Sequence, residues 1–229
     1  KTYVEEINSV KRKKLGRQLT PKEVKALKKR GTKIIMTRVN LEWHKPDHDH
    51  PEGRSKMRWL VLGYMQAEST LSTDAPTMLD STVKFMVAMG SMEGLTPEED
   101  VISTGDISVA FLQGYNFDTT LSKQYVGLRP YPGAEVEVWE YDGPIYGDSV
   151  APMNLHETFT DFMVGTMKYE KMTKEQVEKV TGLPDMEYKQ SANEPALYYK
   201  EEKKHIVAKW VDDIQTRGCV RATQEFWSI

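Results

Sequence analysis

Two adjacent aspartates, Asp212 and Asp213, follow directly on an apolar run that spans Ile206–Val211. Carboxylates are costly to bury unless they are paired or bind a cation, so this strand has to end in a solvent-exposed turn or at a cation. Asp106 stands in the same way at the end of a second predicted strand, Val101–Ile107. Phosphoryl transfer with two Mg²⁺ ions needs carboxylates from separate chain segments. A surface turn explains the doublet alone, whereas the three aspartates together favour a cation site.

The composition predicts a soluble globular protein. The 229 residues, of which 39% are hydrophobic and 28% charged, can bury enough apolar surface for one sizeable domain or two small ones. A disordered tail, a collagen and a disulfide miniprotein are excluded. No run approaches the ~18 to 20 apolar residues of a membrane span, and the N-terminus lacks the apolar core of a signal peptide. With one cysteine, Cys219, we expect an intracellular protein, in a cytoplasmic particle or the nucleus, that is neither secreted nor membrane-bound.

The charges are distributed unevenly. Residues 1–33 carry 12 Lys and Arg against three Glu, although the whole chain carries 31 basic and 34 acidic residues. A basic arm of this kind suits nucleic acid, an anionic membrane or simple solvation of a helix face. The acidic remainder argues against a broad phosphate-binding surface, because such surfaces neutralise phosphates with Lys and Arg.

Local signals for helices and strands are mixed along the chain. Thr20-Pro21-Lys22-Glu23 combines a capping hydroxyl, a proline at the first helical position and a Glu three residues after the cap, so we expect a helix that Gly31 ends. Lys33–Trp43 and Lys56–Tyr64 are predicted to be strands of a long-looped antiparallel hairpin. The same signals predict a helix over Leu79–Met89, strands over Val101–Ile107, Gln124–Leu128 and Val136–Trp139, helices over Pro152–Met167 and from Thr173, and a hairpin of Ala196–Tyr199 with Ile206–Val211. This order predicts an α+β fold.

The loop between the first two predicted strands is rich in His and Asp. It contains His44, His48 and His50 with Asp47 and Asp49. A metal site is one interpretation and a solvated loop the other. Structural metal sites usually add thiolates or a second pair of ligands, so we favour the solvated loop.

The residues around the aspartates resemble a known family. Trp210-Val211-Asp212-Asp213 is similar to the Tyr-Val-Asp-Asp box of reverse transcriptases. Asp106-Ile107-Ser108-Val109-Ala110-Phe111-Leu112-Gln113-Gly114 resembles the Asp-Val-x-x-Ala-Phe-Leu-x-Gly box of copia-type LTR retrotransposon polymerases. Further anchors fall in the family's order over residues 33 to 218: Lys56-Met57-Arg58-Trp59 with Gly63, Asp74-Ala75-Pro76-Thr77, Gln124-Tyr125-Val126 with Pro130, and Ile145-Tyr146-Gly147 with Ala151-Pro152. Each box is weak alone, but six boxes in the right order are specific.

The resemblance implies a nucleotidyltransferase and assigns roles to single residues. Asp106 and Asp212 would bind two Mg²⁺ ions, or Mn²⁺, with Asp213 as a supporting carboxylate. Phe111 would crowd a ribose 2′-hydroxyl and so favour dNTPs. Lys56 and Arg58, at positions i and i+2 of a strand, share one face and are candidates for binding the incoming triphosphate, although a solvated strand face explains them equally well.

The implied substrates are a primer–template of RNA or DNA and dNTPs. The implied partners are the other parts of a Gag-Pol polyprotein, namely integrase and ribonuclease H. The resemblance further implies the fingers and palm of a right-handed polymerase, with an antiparallel palm sheet flanked by helices and without the thumb. We expect a basic arm over residues 1–32, fingers over 33–100 and a palm over 101–229.

One box departs from the family pattern. The family's Leu-Tyr-Gly-Leu-Lys-Gln-Ala-Pro-Arg is here Ile145-Tyr146-Gly147-Asp148-Ser149-Val150-Ala151-Pro152-Met153. A glutamine near the template and nucleotide is therefore replaced by Val150, and two basic residues are replaced by Ser149 and Met153. Each loss should weaken substrate binding by about 1 to 3 kcal/mol.

Two other functions stay open at this point. A catalytically silent retroelement remnant could keep the fold as a nucleic-acid-binding or interaction module, and the altered box and the acidic body favour it. An unrelated two-metal nuclease or phosphatase would need more acidic ligands and lacks the ordered boxes. The metal carboxylates favour an active or weakly active polymerase fragment.

Overall fold

The computed structural model describes residues 16–46, 51–66, 73–92, 99–108, 110–117, 124–129, 133–183 and 186–228, together with Glu5, Asn8 and His48. These residues form an α+β fold with two five-stranded sheets, of which one is a mixed half-barrel, and five helices. In chain order the elements are β1 (Gly16–Gln18), α1 (Pro21–Lys29), β2 (Ile35–His44), β3 (Arg54–Val61), α2 (Asp80–Met92), β4 (Val101–Asp106), β5 (Gln124–Leu128), β6 (Glu137–Tyr141), α3 (Ala151–Val164), α4 (Lys174–Val180), β7 (Lys189–Gln190), β8 (Leu197–Lys200), β9 (His205–Trp210), β10 (Asp213–Gly218) and α5 (Val220–Trp227).

Two compact units share these elements and alternate along the chain. The described residues between 16 and 66, with 115–151 and 171–176, form the first unit, and those of 73–114, 152–170 and 177–228 form the second. The predicted division at residues 32 and 100 uses contiguous segments and stays a prediction.

The first unit holds the mixed sheet, with strand order β1-β6-β5-β2-β3. All its strand pairs are antiparallel except β2 with β5. The predicted hairpin is confirmed, since β2 pairs with β3 from Thr37↔Val61 to His44↔Arg54. In its core, Trp59 and Trp139 meet edge to face with ring centroids 5.5 Å apart.

Helix α1 confirms its sequence signals residue by residue. Glu23 N–H bonds to the Thr20 hydroxyl, and the Glu23 carboxylate accepts from Thr20 N–H, which completes the capping box. The helix ends at Lys29, and two residues later Gly31 adopts a left-handed φ of 68° that glycine reaches without steric cost. Leu27 is buried with Leu19 and Val138 in a small core cluster.

The second unit holds an antiparallel sheet, with strand order β4-β10-β9-β8-β7. Successive side chains of a strand point to opposite faces, so Val207 and Ala208 of β9 belong to different cores. Val207 packs in a cluster with Phe159 and Met163 of α3. Ala208 packs in a cluster with Met86 of α2. Helices therefore cover both faces of this sheet.

Sequence signals predicted most of these elements and missed others. The helix expected over Leu79–Met89 is present as α2, but Leu79, Phe85 and Val87 are 61%, 60% and 49% exposed, so its apolar residues are not all in the core. The short strands β1 and β7, strand β10 and helix α5 were not predicted. Most of the basic arm, the turn at Pro130 and residues Asp47, Asp49 and His50 lie outside the described residues.

None of the helices in the described part of the chain combines the length and the hydrophobicity that crossing a bilayer requires.

Candidate functional site: paired carboxylates at a strand edge

Asp212 lies in a two-residue turn that joins β9 to β10. Trp210 pairs with Asp213 across the hairpin, which leaves Val211 and Asp212 as the turn residues. Val211 has a φ of 57°. Two-residue hairpins need such left-handed angles to match the twist of their strands, but a β-branched side chain adopts them only under strain. The hairpin therefore carries strain next to the aspartates.

Asp213 lies directly opposite Asp106 in the β10–β4 ladder. The neighbouring pair is Ile107 and Asp212, in which Ile107 N–H donates a hydrogen bond of 2.9 Å to the Asp212 carbonyl. Directly opposed residues of an antiparallel ladder alternate between hydrogen-bonded pairs and non-hydrogen-bonded pairs, and the latter are closer together. Because Ile107 and Asp212 are hydrogen-bonded, Asp106 and Asp213 form a non-hydrogen-bonded, narrow pair. Its Cα atoms are about 4.5 Å apart and its side chains lie on one face of the sheet. Both are exposed. Like charges directly opposite each other are destabilising, and a cation between them would offset that repulsion.

A pocket of about 610 Å³ opens beside this pair of carboxylates, within the second unit. Asp106, Asp213, Trp210 and Gln215 line it from the sheet, and Asp80 and Lys84 line it from the first turns of α2. The volume falls in the range of small-molecule sites. The pocket gives a ligand room to reach both carboxylates.

The ligand set suits a hard cation that also binds its substrate. Mg²⁺ is typically held by one or two carboxylates and completes its shell with water and substrate phosphates, and the facing pair supplies two carboxylates. Within the described residues, however, no group of three His, Cys, Asp or Glu side chains is placed to hold a metal ion. The residues therefore fit a cation that needs further oxygen ligands from elsewhere.

Asp212 differs from the other two aspartates in its surroundings. It is half-buried, and its negative charge acts on the ammonium of Lys209, which is fully buried in β9. Burial lowers the pKa of Lys209 to about 8, an effect that Asp212 opposes. The expected proximity of the Asp106 and Asp212 carboxylates stays a prediction, whereas the strand register pairs Asp106 with Asp213.

Lys209 was not predicted to have a special role, although a charged residue inside an apolar strand is a visible signal. In the described part of the protein its Nζ has no hydrogen-bond partner, and neither has Nδ1 of the buried His156. Nζ lies 5.9 Å from the ring centroid of Phe159. The pKa of His156 is lowered to about 4, first by burial and then by the charge of Lys209. Two basic side chains, each with a buried nitrogen that lacks a hydrogen-bond partner among the described residues, thus lie in the core of the second unit.

Phe111 lies in a short 3₁₀ turn, Ala110–Gln113, that begins four residues after Asp106. Its side chain is half-buried, while Ala110 and Leu112 on either side are buried. Phe111 is not among the residues that line the pocket. Its expected contact with a nucleotide sugar stays a prediction.

Lys56 and Arg58 occupy alternate positions of β3 and so share one face of the hairpin, as expected. Arg58 is half-buried and forms an ion pair of 2.5 Å with Glu42 of β2. Lys56 is exposed and pairs in register with Glu42. Glu42 therefore neutralises part of the positive charge that a triphosphate would need.

The altered box forms a buried polar network in the first unit. The Gln66 carboxamide oxygen accepts from both the N–H and the hydroxyl of Ser149, each at 2.9 Å. Asp148 bonds to the Tyr141 hydroxyl and to Val150 N–H, and burial raises the pKa of its carboxyl group. Val150 itself is buried. Asp148 and Ser149 are thus held by hydrogen bonds within the first unit, and none of residues 148–150 is basic.

The His-rich loop shows no metal-binding arrangement in the residues that are described. His44 lies 3.8 Å from the Glu42 carboxylate, and neither it nor His48 belongs to a group that could hold a metal ion.

No protein-family model matches the sequence, and no curated protein matches it.

Proposed function

We propose that this chain is the fingers and palm region of an RNA-directed DNA polymerase of the kind that copia-type LTR retrotransposons encode. The observation that carries the proposal is the narrow pair of Asp106 and Asp213 at the end of an antiparallel sheet, directly beside a turn that holds Asp212. Two carboxylates from distant chain segments thus face each other at one strand edge, and the residue next to one of them in the chain is a third aspartate. The order of the polymerase-like boxes assigns the same three residues to metal binding.

The architecture supports the same assignment. The antiparallel sheet with helices on both faces, which carries the aspartates, corresponds to the expected palm. The long β2–β3 hairpin, which carries Lys56 and Arg58, lies within the range expected for the fingers. A thumb and a ribonuclease H segment would belong to other parts of a Gag-Pol-like polyprotein.

The chemistry follows from what these residues can bind. Asp106, Asp212 and Asp213 would hold two Mg²⁺ ions, which supply charge stabilisation to the attacking and leaving oxygens. A primer 3′-hydroxyl would lose its proton to solvent and attack the α-phosphorus of a dNTP. The new P–O bond would extend the primer, and the bond from the α-phosphorus to the bridging oxygen would break to release pyrophosphate. Lys56 and Arg58 would neutralise the triphosphate, and Phe111 would exclude the ribose 2′-hydroxyl.

The residues that would bind the substrate suit that role less well than the aspartates suit metal binding. Ser149 and Val150 offer neither the positive charge nor the amide of the family's box, and Asp148 adds a buried acid there. Arg58 is already paired with Glu42. We therefore expect the chain alone to extend a primer distributively and slowly.

The test is dNTP incorporation on an RNA template with a DNA primer and Mg²⁺. The wild-type chain should add a few nucleotides, and Asp106→Asn should abolish this addition. Asp74→Asn, an exposed aspartate in the loop before α2, is the matched control and should leave incorporation unchanged. Val150→Gln together with a downstream thumb segment should raise the rate. Incorporation that survives Asp106→Asn would refute the proposal, and robust processive synthesis would refute the expected weakness.

A silent remnant that only binds nucleic acid is the second candidate. The hydrogen-bond network of Asp148, Gln66 and Ser149 favours it, because these residues lie where the polymerase box would offer a lysine and a glutamine to the substrate. In that case the chain should bind a labelled RNA–DNA hybrid with an affinity that falls steeply with salt, while neither Mg²⁺ nor Val150→Gln yields incorporation. Polymerase activity that depends on Asp106 would exclude it.

A further inference from the structure

The strand that carries Asp106 has little to hold it on one side. In the sheet order of the described strands, β4 is an edge and pairs with β10 alone. Gly105, directly before Asp106, has no side chain to pack, and glycine weakens a strand interior through its conformational freedom. An edge strand with a glycine next to its functional carboxylate needs an outside contact if that carboxylate is to keep one position.

Trp227, in the last turn of α5, makes that contact. A Cβ atom placed on Gly105 would lie 2.4 Å from Cη2 and 2.5 Å from Cζ3 of the Trp227 indole. The ring therefore rests against the Gly105 backbone at van der Waals contact and occupies the space where any side chain would be. Gly105 is not among the residues with positive φ, so an alanine would be excluded there by the indole and not by its own backbone.

The helix that carries Trp227 is anchored to the same sheet at a second place. Phe226 packs on Trp227 and on His205, with ring centroids 5.0 and 5.7 Å apart. His205 is buried at the start of β9 and bonds through Nδ1 to the Tyr188 hydroxyl at 2.6 Å. On the surface, Glu225 bridges Lys203 and Arg221. These contacts fix α5, so the indole is held against β4.

We propose that Trp227 is a positioning residue for Asp106: its indole clamps Gly105 and thereby fixes the carboxylate at the cation site. This inference rests on the proposed function only in assigning Asp106 to a cation, and it names a residue 121 positions away in sequence that no polymerase-like box includes. A merely structural role for Trp227 would affect stability without affecting the cation.

The first measurement is a double-mutant cycle in unfolding by urea, followed by circular dichroism. Gly105→Ala in the wild-type background should increase the unfolding equilibrium constant at least 30-fold, because the added methyl overlaps the indole. In the Trp227→Ala background the same substitution should increase it less than fivefold. If Gly105→Ala increased the unfolding equilibrium constant equally in the two backgrounds, the indole would not occupy the space beside Gly105, and the inference would be overturned.

The second measurement is binding of Mn²⁺, a paramagnetic substitute for Mg²⁺, followed by its free-ion electron spin resonance signal. Trp227→Ala should raise the Mn²⁺ dissociation constant at least fivefold under conditions where the variant is folded. Trp227→Phe keeps an aromatic ring but lacks the distal ring atoms Cη2 and Cζ3 that lie against Gly105, so it should raise the dissociation constant by a similar factor. Trp43→Ala, which removes a 66% exposed tryptophan of β2, is the matched control and should leave the constant unchanged.

These outcomes separate the inference from the proposed function. Coupling in the cycle with weakened Mn²⁺ binding supports the inference whether or not the chain extends a primer. Coupling with unchanged Mn²⁺ binding makes Trp227 structural only and overturns it. A wild-type chain without Mn²⁺ binding overturns the inference together with the cation site. A chain that binds Mn²⁺ through Asp106 but never incorporates dNTPs overturns the polymerase proposal alone.

Discussion

Replacing Asp213 with Asn should change stability in opposite directions with and without Mg²⁺. Asp213 and Asp106 face each other in a narrow antiparallel pair, in which Cβ atoms are about 4.5 to 5.5 Å apart. At a separation of about 5 Å two unit charges in water repel each other by about 0.8 kcal/mol. Without divalent cations, Asp213→Asn should therefore stabilise the protein by about 0.5 to 1 kcal/mol.

With Mg²⁺ the wild type should be more stable than Asp213→Asn. A site with a dissociation constant of about 1 mM would stabilise the wild type by about 1.4 kcal/mol at about 10 mM free Mg²⁺, and the variant, with half of the facing pair, should gain little. The assay is urea unfolding followed by tryptophan fluorescence, in MgCl₂ or in NaCl of equal ionic strength. Asp74→Asn serves as the control for the loss of one exposed charge. A Mg²⁺ effect of equal size in wild type and Asp213→Asn would refute a cation at the facing pair.

Three further substitutions test the geometry around the hairpin and the glycines. Val211→Gly should stabilise the protein by about 1 kcal/mol in urea unfolding, because glycine adopts the 57° φ of the turn without strain; destabilisation would contradict this. Burial lowers the pKa of Lys209 from 10.5 to about 8, so between these values the unfolded chain binds more protons and stability should rise with pH. Lys209→Met should remove that rise, and an unchanged pH profile would exclude Lys209 as its source. In Gly147→Ala the added Cβ would lie 2.3 Å from the Val61 carbonyl oxygen, so this substitution should lower the free energy of unfolding by at least about 2 kcal/mol more than Gly133→Ala. Gly133 has a similar positive φ, but no atom of the described residues lies within 4 Å of a Cβ placed there. Similar losses of stability would contradict the close packing at Gly147.

Local sequence signals predicted those helices and hairpins that are determined by residues close together in the chain. The capping box at Thr20 and the second one at Thr173 both form as their residues predict, the latter with Gln176 bonding back to Thr173 N–H. The hairpin of β8 and β9 also follows from its apolar runs and charged turn. Strand β10 was not predicted because its residues Asp213–Gly218 include a single large apolar side chain, Ile214, among polar residues and a glycine. Its position is fixed by pairing with two neighbours and not by its own propensity.

The sequence predicted which types of residue form the candidate site, but not which aspartates face each other across the strands. The sequence placed aspartates at two strand ends, and the structure brings those ends together. Which aspartate faces Asp106 depends on the register between β4 and β10, and in the observed register Asp213 is opposite. That pairing joins distant parts of the chain, so no local sequence signal sets it. The contact of Trp227 with Gly105 had no sequence signal at all, because it joins a helix end to a glycine through tertiary packing alone.

The alternation of the two units along the chain determines when the carboxylates can meet during folding. The hairpin with Asp213 closes a turn of two residues, whereas the contact from Asp213 to Asp106 closes a loop of about 107 residues, with an entropic cost of about 4 kcal/mol. All of the 115–151 segment, which belongs to the other unit, lies inside that loop. We expect the β9–β10 hairpin to form early and β4 to dock late, so that cation binding would be among the last properties to return on refolding.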